Sequence, residues 1–130
     1  AEWSTFLMGY YNRLRLFAVR EQQNYSLIIT HVLQYLESHY QQDLSLSEVA
    51  KVVSVNPSYL SSLIKKETGK NFIDIIIEAR LEHAKKLLQN PCHRINEVAD
   101  LSGFKDYAYF YQTFKKHVGL SPKEYRNQFL

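Results

Sequence analysis

A chain of 130 residues with 45% apolar and 22% charged side chains is globular rather than disordered, and amounts to one domain or a small domain with an appendage. No apolar run is long enough to span a bilayer, no charged-then-apolar leader opens the chain, and a lone Cys92 excludes a disulfide framework, so a reducing cytoplasm is expected. The net charge of +3 is uneven: residues 1–43 carry three basic against four acidic residues, residues 44–130 thirteen against nine. The basic excess lies where a phosphate-binding surface would need it, although a mixed soluble surface would show the same count.

In chain order, residues 3–20 are rich in aromatic and aliphatic side chains and form a candidate helix, and Glu21-Gln-Gln-Asn24 is a polar break. Leu27 to Tyr40 is a clearer helix, with Ile28, Val32, Tyr35, Leu36 and Tyr40 near one face. Ser45-Leu-Ser-Glu48 has the form of a capping box, opening a helix that runs to about Val53. Asn56-Pro57 starts the next, with Asn as N-cap and Pro at the first helical position, and Gly69 ends it. Phe72 to Gln89 is the longest periodic stretch, predicting Phe72, Ile76, Ala79, Ala84 and Leu87 inward, and Asn90-Pro91 stops it. Helices follow over Ile95 to Ser102 and about Asp106 to Val118, and Ser121-Pro-Lys-Glu124 opens a short last one. No segment carries a strand or hairpin signal. The fold class is therefore all-α.

Half of this string repeats. Leu46-Ser-Glu-Val-Ala50 recurs as Ile95-Asn-Glu-Val-Ala99, and Tyr59-Leu60, Ile64-Lys65-Lys66 and Gly69 recur as Tyr109-Phe110, Phe114-Lys115-Lys116 and Gly119. The offset grows from forty-nine to fifty residues between the two helices of each copy, so the second turn is one residue longer. A helix, a tight turn and a helix ending in Lys-Lys is the outline of a helix-turn-helix reader of DNA. The expected architecture is two such subdomains, a first unit at 27–71 and a second at 91–130, joined by a long linking helix at 72–90.

The apolar stripe fixes which side chains can reach a groove. In the first recognition helix Tyr59, Leu60 and Ile64 are expected to pack inward, leaving Ser58, Ser61, Ser62 and Lys65 outside. In the second, Tyr109, Phe110 and Phe114 pack inward and Tyr107, Ala108, Tyr111, Gln112 and Lys115 face out. Gln112 can pair bidentately with adenine, the serines bond to several base edges, and Ala108 suits a thymine methyl. One lysine of each pair, Lys65-Lys66 and Lys115-Lys116, is expected at phosphate, because both copies place the pair identically. Eighteen helical residues span roughly 27 Å, against about 34 Å between successive major grooves, so one chain can present both readers to neighbouring grooves.

Catalysis finds no support. His31, His39, His83, His93 and His117 have no metal-ligand spacing with Cys92, and the four glycines form no phosphate-cradling loop. Glu48 and Glu97 recur, but in the first turn of a helix, where capping and dipole roles account for them. No metal or cofactor is expected.

From Leu27 onward the order of elements resembles the DNA-binding domain of AraC/XylS-type transcription regulators. The stretches that carry the resemblance are Tyr59-LSSLIKKETGKNF-Ile73, Arg80-LEHAKKLL, Ile95-NEVADLSGF-Lys105 and Tyr109-FYQTFKKHVGLSPKEYR-Asn127. The resemblance implies a double-stranded DNA partner, base reading from the outward positions named above, and activation of transcription as the output. It also implies that residues 1–26 are a connector or the tail of a preceding sensory or receiver domain, with RNA polymerase as a further partner. Arg80 is counted among the candidate phosphate contacts, but the resemblance, which places the matching arginine near the bundle, favours the alternative of a bond to a neighbouring element's backbone. The small serines of the first unit depart from family members with larger polar readers there. Two other readings stay open: a helical protein-interaction module using the same faces, and the DNA-targeting part of a larger enzyme.

Overall fold

The computed structural model describes residues 25–130, so the candidate helix at 3–20 and the polar break at 21–24 lie outside the described residues. Seven helices make up the rest: α1 (Leu27–His39), α2 (Leu46–Val52), α3 (Pro57–Thr68), α4 (Phe72–Leu88), α5 (Ile95–Leu101), α6 (Tyr107–Val118) and α7 (Pro122–Asn127). The described residues form an all-α fold, with α2–α3 and α5–α6 as its two helix-turn-helix pairs.

Local chemistry sets most boundaries. Asn56 Oδ1 accepts from the amides of Ser58 and Tyr59 at 2.8 and 3.4 Å, and Pro57 takes the first helical position, where its missing donor costs nothing. Ser45 Oγ accepts from the Glu48 amide, and Ser121 with Glu124 forms the full reciprocal box. Those bonds to Ser121 hold the Glu124 carboxyl below its ordinary value. Gly69 and Gly119 end α3 and α6 in the left-handed conformation, their amides donating to Lys65 O and Lys115 O. α1 is capped by Ser26, whose own amide donates to Glu67 Oε1 while its hydroxyl donates to Glu67 Oε2 at 2.8 Å. Glu67 thus performs from α3 the back-bonding of a capping-box glutamate, a role the buried Ile29 at the third position of α1 cannot fill.

The repetition extends to individual bonds. The first turn closes with Ser54 N donating to Lys51 O and Val55 N to Ala50 O, the second with Gly103 N to Asp100 O and Phe104 N to Ala99 O. The bond from the second residue past the helix back into its last turn, with a left-handed residue between, is a Schellman motif. Ser54 at φ 58° fills the left-handed position in the first copy and Gly103 at φ 93° in the second.

Each pair closes on its own core. Ile29, Val32, Leu36, Val49, Ala50, Leu60, Ile64, Phe72 and Ile76 form the first; Ile77, Leu81, Ala84, Leu88, Val98, Ala99, Phe104, Phe110 and Phe114 form the second. The first is mostly aliphatic. The second is aromatic, with Phe110 5.1 Å from Phe104 and 5.7 Å from Phe114, and Tyr125 edge-on to Phe114 at 5.5 Å, geometries that ring quadrupoles favour. α4 serves both. At about 100° per residue, Phe72 and Ile76 point roughly 130° away from the stripe of Ile77, Leu81, Ala84 and Leu88. The expected single inward face of α4 is corrected accordingly: Ala79 and Leu87 are only half-buried, whereas Ile77, Leu81 and Leu88 are buried. In α1, Ile29 rather than Ile28 is the deepest residue of the first turn.

One core position carries a polar group with nothing to bond. Ser102, equivalent to the half-buried Val53 of the first unit, is 0% exposed, and its hydroxyl has no hydrogen-bond partner among the described residues. A buried, unpaired hydroxyl costs about 1–3 kcal/mol. Ser102→Ala is therefore expected to leave thermal stability unchanged or raise it by about 1 kcal/mol; a clear drop in melting temperature would show that the hydroxyl is satisfied in solution.

Candidate nucleic-acid interface

The recognition helices α3 and α6 are matched in length, cap and phase. Leu60 and Ile64 anchor α3 from behind, and Phe110, Thr113 and Phe114 anchor α6. On the opposite faces Ser58, Ser61, Ser62, Lys65 and Lys66 are exposed, and so are the equivalents fifty residues on, Ala108, Tyr111, Gln112, Lys115 and Lys116, together with Tyr107. The structure thus brings the predicted residues into two patches, one on each helix. Lys66, Lys115 and Lys116 carry no ion pair among the described residues, and Lys65 Nζ donates to the Gly69 carbonyl at 3.1 Å. In each patch the lysines occupy the last turn, where they also complement the negative end of the helix. The surface that results is cationic and polar, suited to a groove and its bordering phosphates.

Two side chains expected in the core are not there. Tyr59 is 54% exposed and Tyr109 44% exposed. One residue is about 100° of helix rotation, so a position adjacent to Leu60 or Phe110 lies on the flank of the apolar stripe. Tyr109 rests one edge of its ring near Phe104, 6.0 Å between centroids, and leaves the rest to solvent, as amphipathic tyrosines do. The Leu60–Ile64 and Phe110–Phe114 spacings carry the signal, since they fix the phase of each helix. Both tyrosines lie at equivalent positions beside the outward faces.

Arg80 takes the structural alternative. Its Nε donates to Tyr40 O at 2.7 Å and its Nη2 to Gln42 O at 2.9 Å, tying α4 to the chain leaving α1. Burial lowers its pKa, while Asp43 and Tyr109 oppose that shift. Arg126 does the same for the second unit, Nε donating to Leu88 O and Nη2 to Asn90 O beyond the end of α4. Sequence reasoning misses this second clamp: Arg126 does not stand at Arg80's place in the repeat, since fifty residues before it lies Ile76. Beside the first clamp, burial raises the pKa of Tyr40 and lowers that of His83, whose rings lie 5.3 Å apart.

Among the described residues no group of His, Cys, Asp and Glu is placed to hold a metal ion, and no helix is long and apolar enough to cross a membrane. Cys92 is exposed and free.

Known proteins share this arrangement. Residues 49–128 match the family described as "Helix-turn-helix domain". The chain is 37% identical over 98 residues to the uncharacterized HTH-type transcriptional regulator YijO of Escherichia coli, covering 75% of this chain and 35% of that protein. The C-terminal domain of AraT, a response regulator from Geobacillus stearothermophilus, has a similar structure, with a TM-score of 0.75 and 39% identity over 79% of this chain and 86% of that one. An AraC-type DNA-binding domain protein from Chromobacterium violaceum gives a TM-score of 0.73 at 28% identity, over 78% and 90% of the two chains. The chain spans about a third of YijO, so that protein's remaining length has no counterpart in the match. Matched over most of its length and built on two copies of the motif, the chain belongs to the helix-turn-helix domain family.

Proposed function

We propose that this chain is the DNA-binding domain of an AraC/XylS-type regulator, and that α3 and α6 enter successive major grooves of one duplex. The observation that carries the reading is the duplicated exposed face: the same positions, fifty residues apart, stand outward on two capped helices, each braced by its own core. Ser58, Ser61 and Ser62 read bases from α3, and Tyr107, Ala108, Tyr111 and Gln112 from α6; Lys65, Lys66, Lys115 and Lys116 meet phosphates. Arg80 serves the fold. The likeness to a response regulator's C-terminal domain supports a preceding sensory or receiver domain, and activation through contact with RNA polymerase is the output that the resemblance favours.

Salt dependence tests the phosphate contacts. Each phosphate neutralised contributes roughly −0.9 to the slope of log affinity against log salt. Lys65→Ala and Lys115→Ala are each expected to make that slope shallower by about one and to weaken binding to all sequences alike. A flat salt response in the parent chain, or no duplex binding at low salt, contradicts the proposal and favours a protein-interaction module.

A further inference from the structure

The two units meet along a short seam built from the loop after α1 and the turn between α5 and α6. Gly103 lies directly under that loop. A Cβ at this position would stand 2.8 Å from the Tyr40 carbonyl oxygen, 2.9 Å from Gln41 Cα and 3.2 Å from Arg80 Nε. The first two neighbours are backbone that cannot swing aside. Gln41 Nε2 donates to Leu101 O at 3.1 Å, and Lys105 pairs with Asp43 at 3.2 Å across the same seam. Arg80, by gripping Tyr40 and Gln42, holds the loop to α4 at the place where Gly103 presses against it.

The first turn shows what the second does differently. Ser54 occupies the same left-handed position with an ordinary side chain, exposed to solvent and at φ 58°. The turn itself therefore accepts a Cβ. What demands glycine at 103 is the close approach of the other unit, together with a φ of 93° that side chains rarely adopt. Lys105, the cation of the seam, is the extra residue of the longer second turn.

We infer that this seam is a latch, with Gly103, Arg80 and Gln41 as positioning residues, that fixes the angle between α3 and α6 and so sets the spacer length of the DNA site one chain accepts. The inference rests on the reading of both helices as DNA readers. α4 alone would join the units through a single rod, free to bend and twist; the seam adds a second attachment and closes the frame. One base pair of spacer moves the second segment by about 34–36° around the duplex and a tenth of a turn along it. A frame of fixed angle converts that displacement into strain in protein or DNA, and spacer length is discriminated without any contact to spacer bases.

Two measurements test the latch. In the first, nitroxides on Ser62→Cys and Gln112→Cys in a Cys92→Ser background report the distance between recognition helices by pulsed electron resonance, without DNA. The parent is expected to give one narrow distribution. Gly103→Ala, and separately Gln41→Ala with Asp43→Ala, are expected to broaden or displace it. The second variant alters only exposed loop side chains, so its answer stands even if Gly103→Ala fails to fold. Distributions unchanged in the loop variant overturn the latch. In the second measurement the unlabelled proteins select from duplexes whose two half-sites are separated by spacers of varied length. The parent should prefer one spacer, and the variants should lose roughly tenfold of that preference, about the discrimination carried by one base pair. An unchanged spacer preference in variants with broadened distances overturns the inference and leaves DNA reading intact. A parent that binds no two-part site overturns the reading itself, and the inference with it.

Discussion

Phe114→Ala is expected to destabilise the second unit by about 3–5 kcal/mol, and Ile64→Ala the first by about 2–5 kcal/mol. Both side chains are essentially fully buried, and each is the inward anchor of its recognition helix. Phe114 also joins Phe110 to Tyr125, so its removal breaks the aromatic chain that links α6 to α7. A domain of this size has only about 5–15 kcal/mol of net stability, so either loss should show as a large drop in melting temperature by circular dichroism. Wild-type melting with loss of base preference alone would mean that the face assigned to the core is the face that meets DNA.

A different kind of loss is expected at Gln112. Its amide is exposed on α6 and can bond adenine bidentately, whereas its equivalent on α3, Ser62, is a short hydroxyl that bonds promiscuously. Gln112→Ala is expected to cost about 1–3 kcal/mol on the preferred site and to relax choice at one base pair. Ser61→Ala and Ser62→Ala should cost less. Binding of the three variants to single-base variants of the site decides the ranking. If the serine variants lose more discrimination than Gln112→Ala, the first unit is the principal reader.

What the sequence disclosed was local. Asn56, Gly69 and Ser121 satisfy backbone groups within a few residues of themselves, and their chemistry marked helix ends correctly. Leu60–Ile64 and Phe110–Phe114 repeat at helical spacing and marked the inward face of each recognition helix. What escaped was either a matter of shared duty or of long range. α4 packs against two cores in two directions, so no single stripe describes it, and periodicity alone does not single out Ile77, Leu81 and Leu88. Tyr59 and Tyr109 sit one position off the stripe, where aromatic character misleads. Arg126 bonds carbonyls 38 and 36 residues away, and Gly103 answers to a loop more than sixty residues earlier; neither contact leaves a periodic trace. The outward residues of the candidate interface were legible because exposure follows from phase, and phase from the buried anchors.

On the proposed reading, one chain reads two neighbouring segments of duplex with two helices of the same design. Selection of bound duplexes from a random library, using this chain alone, tests it most directly. Enriched sequences are expected to hold two conserved blocks centred about 10–10.5 base pairs apart, the block under α6 the more sharply defined. Enrichment of a single block, or of none, would contradict it.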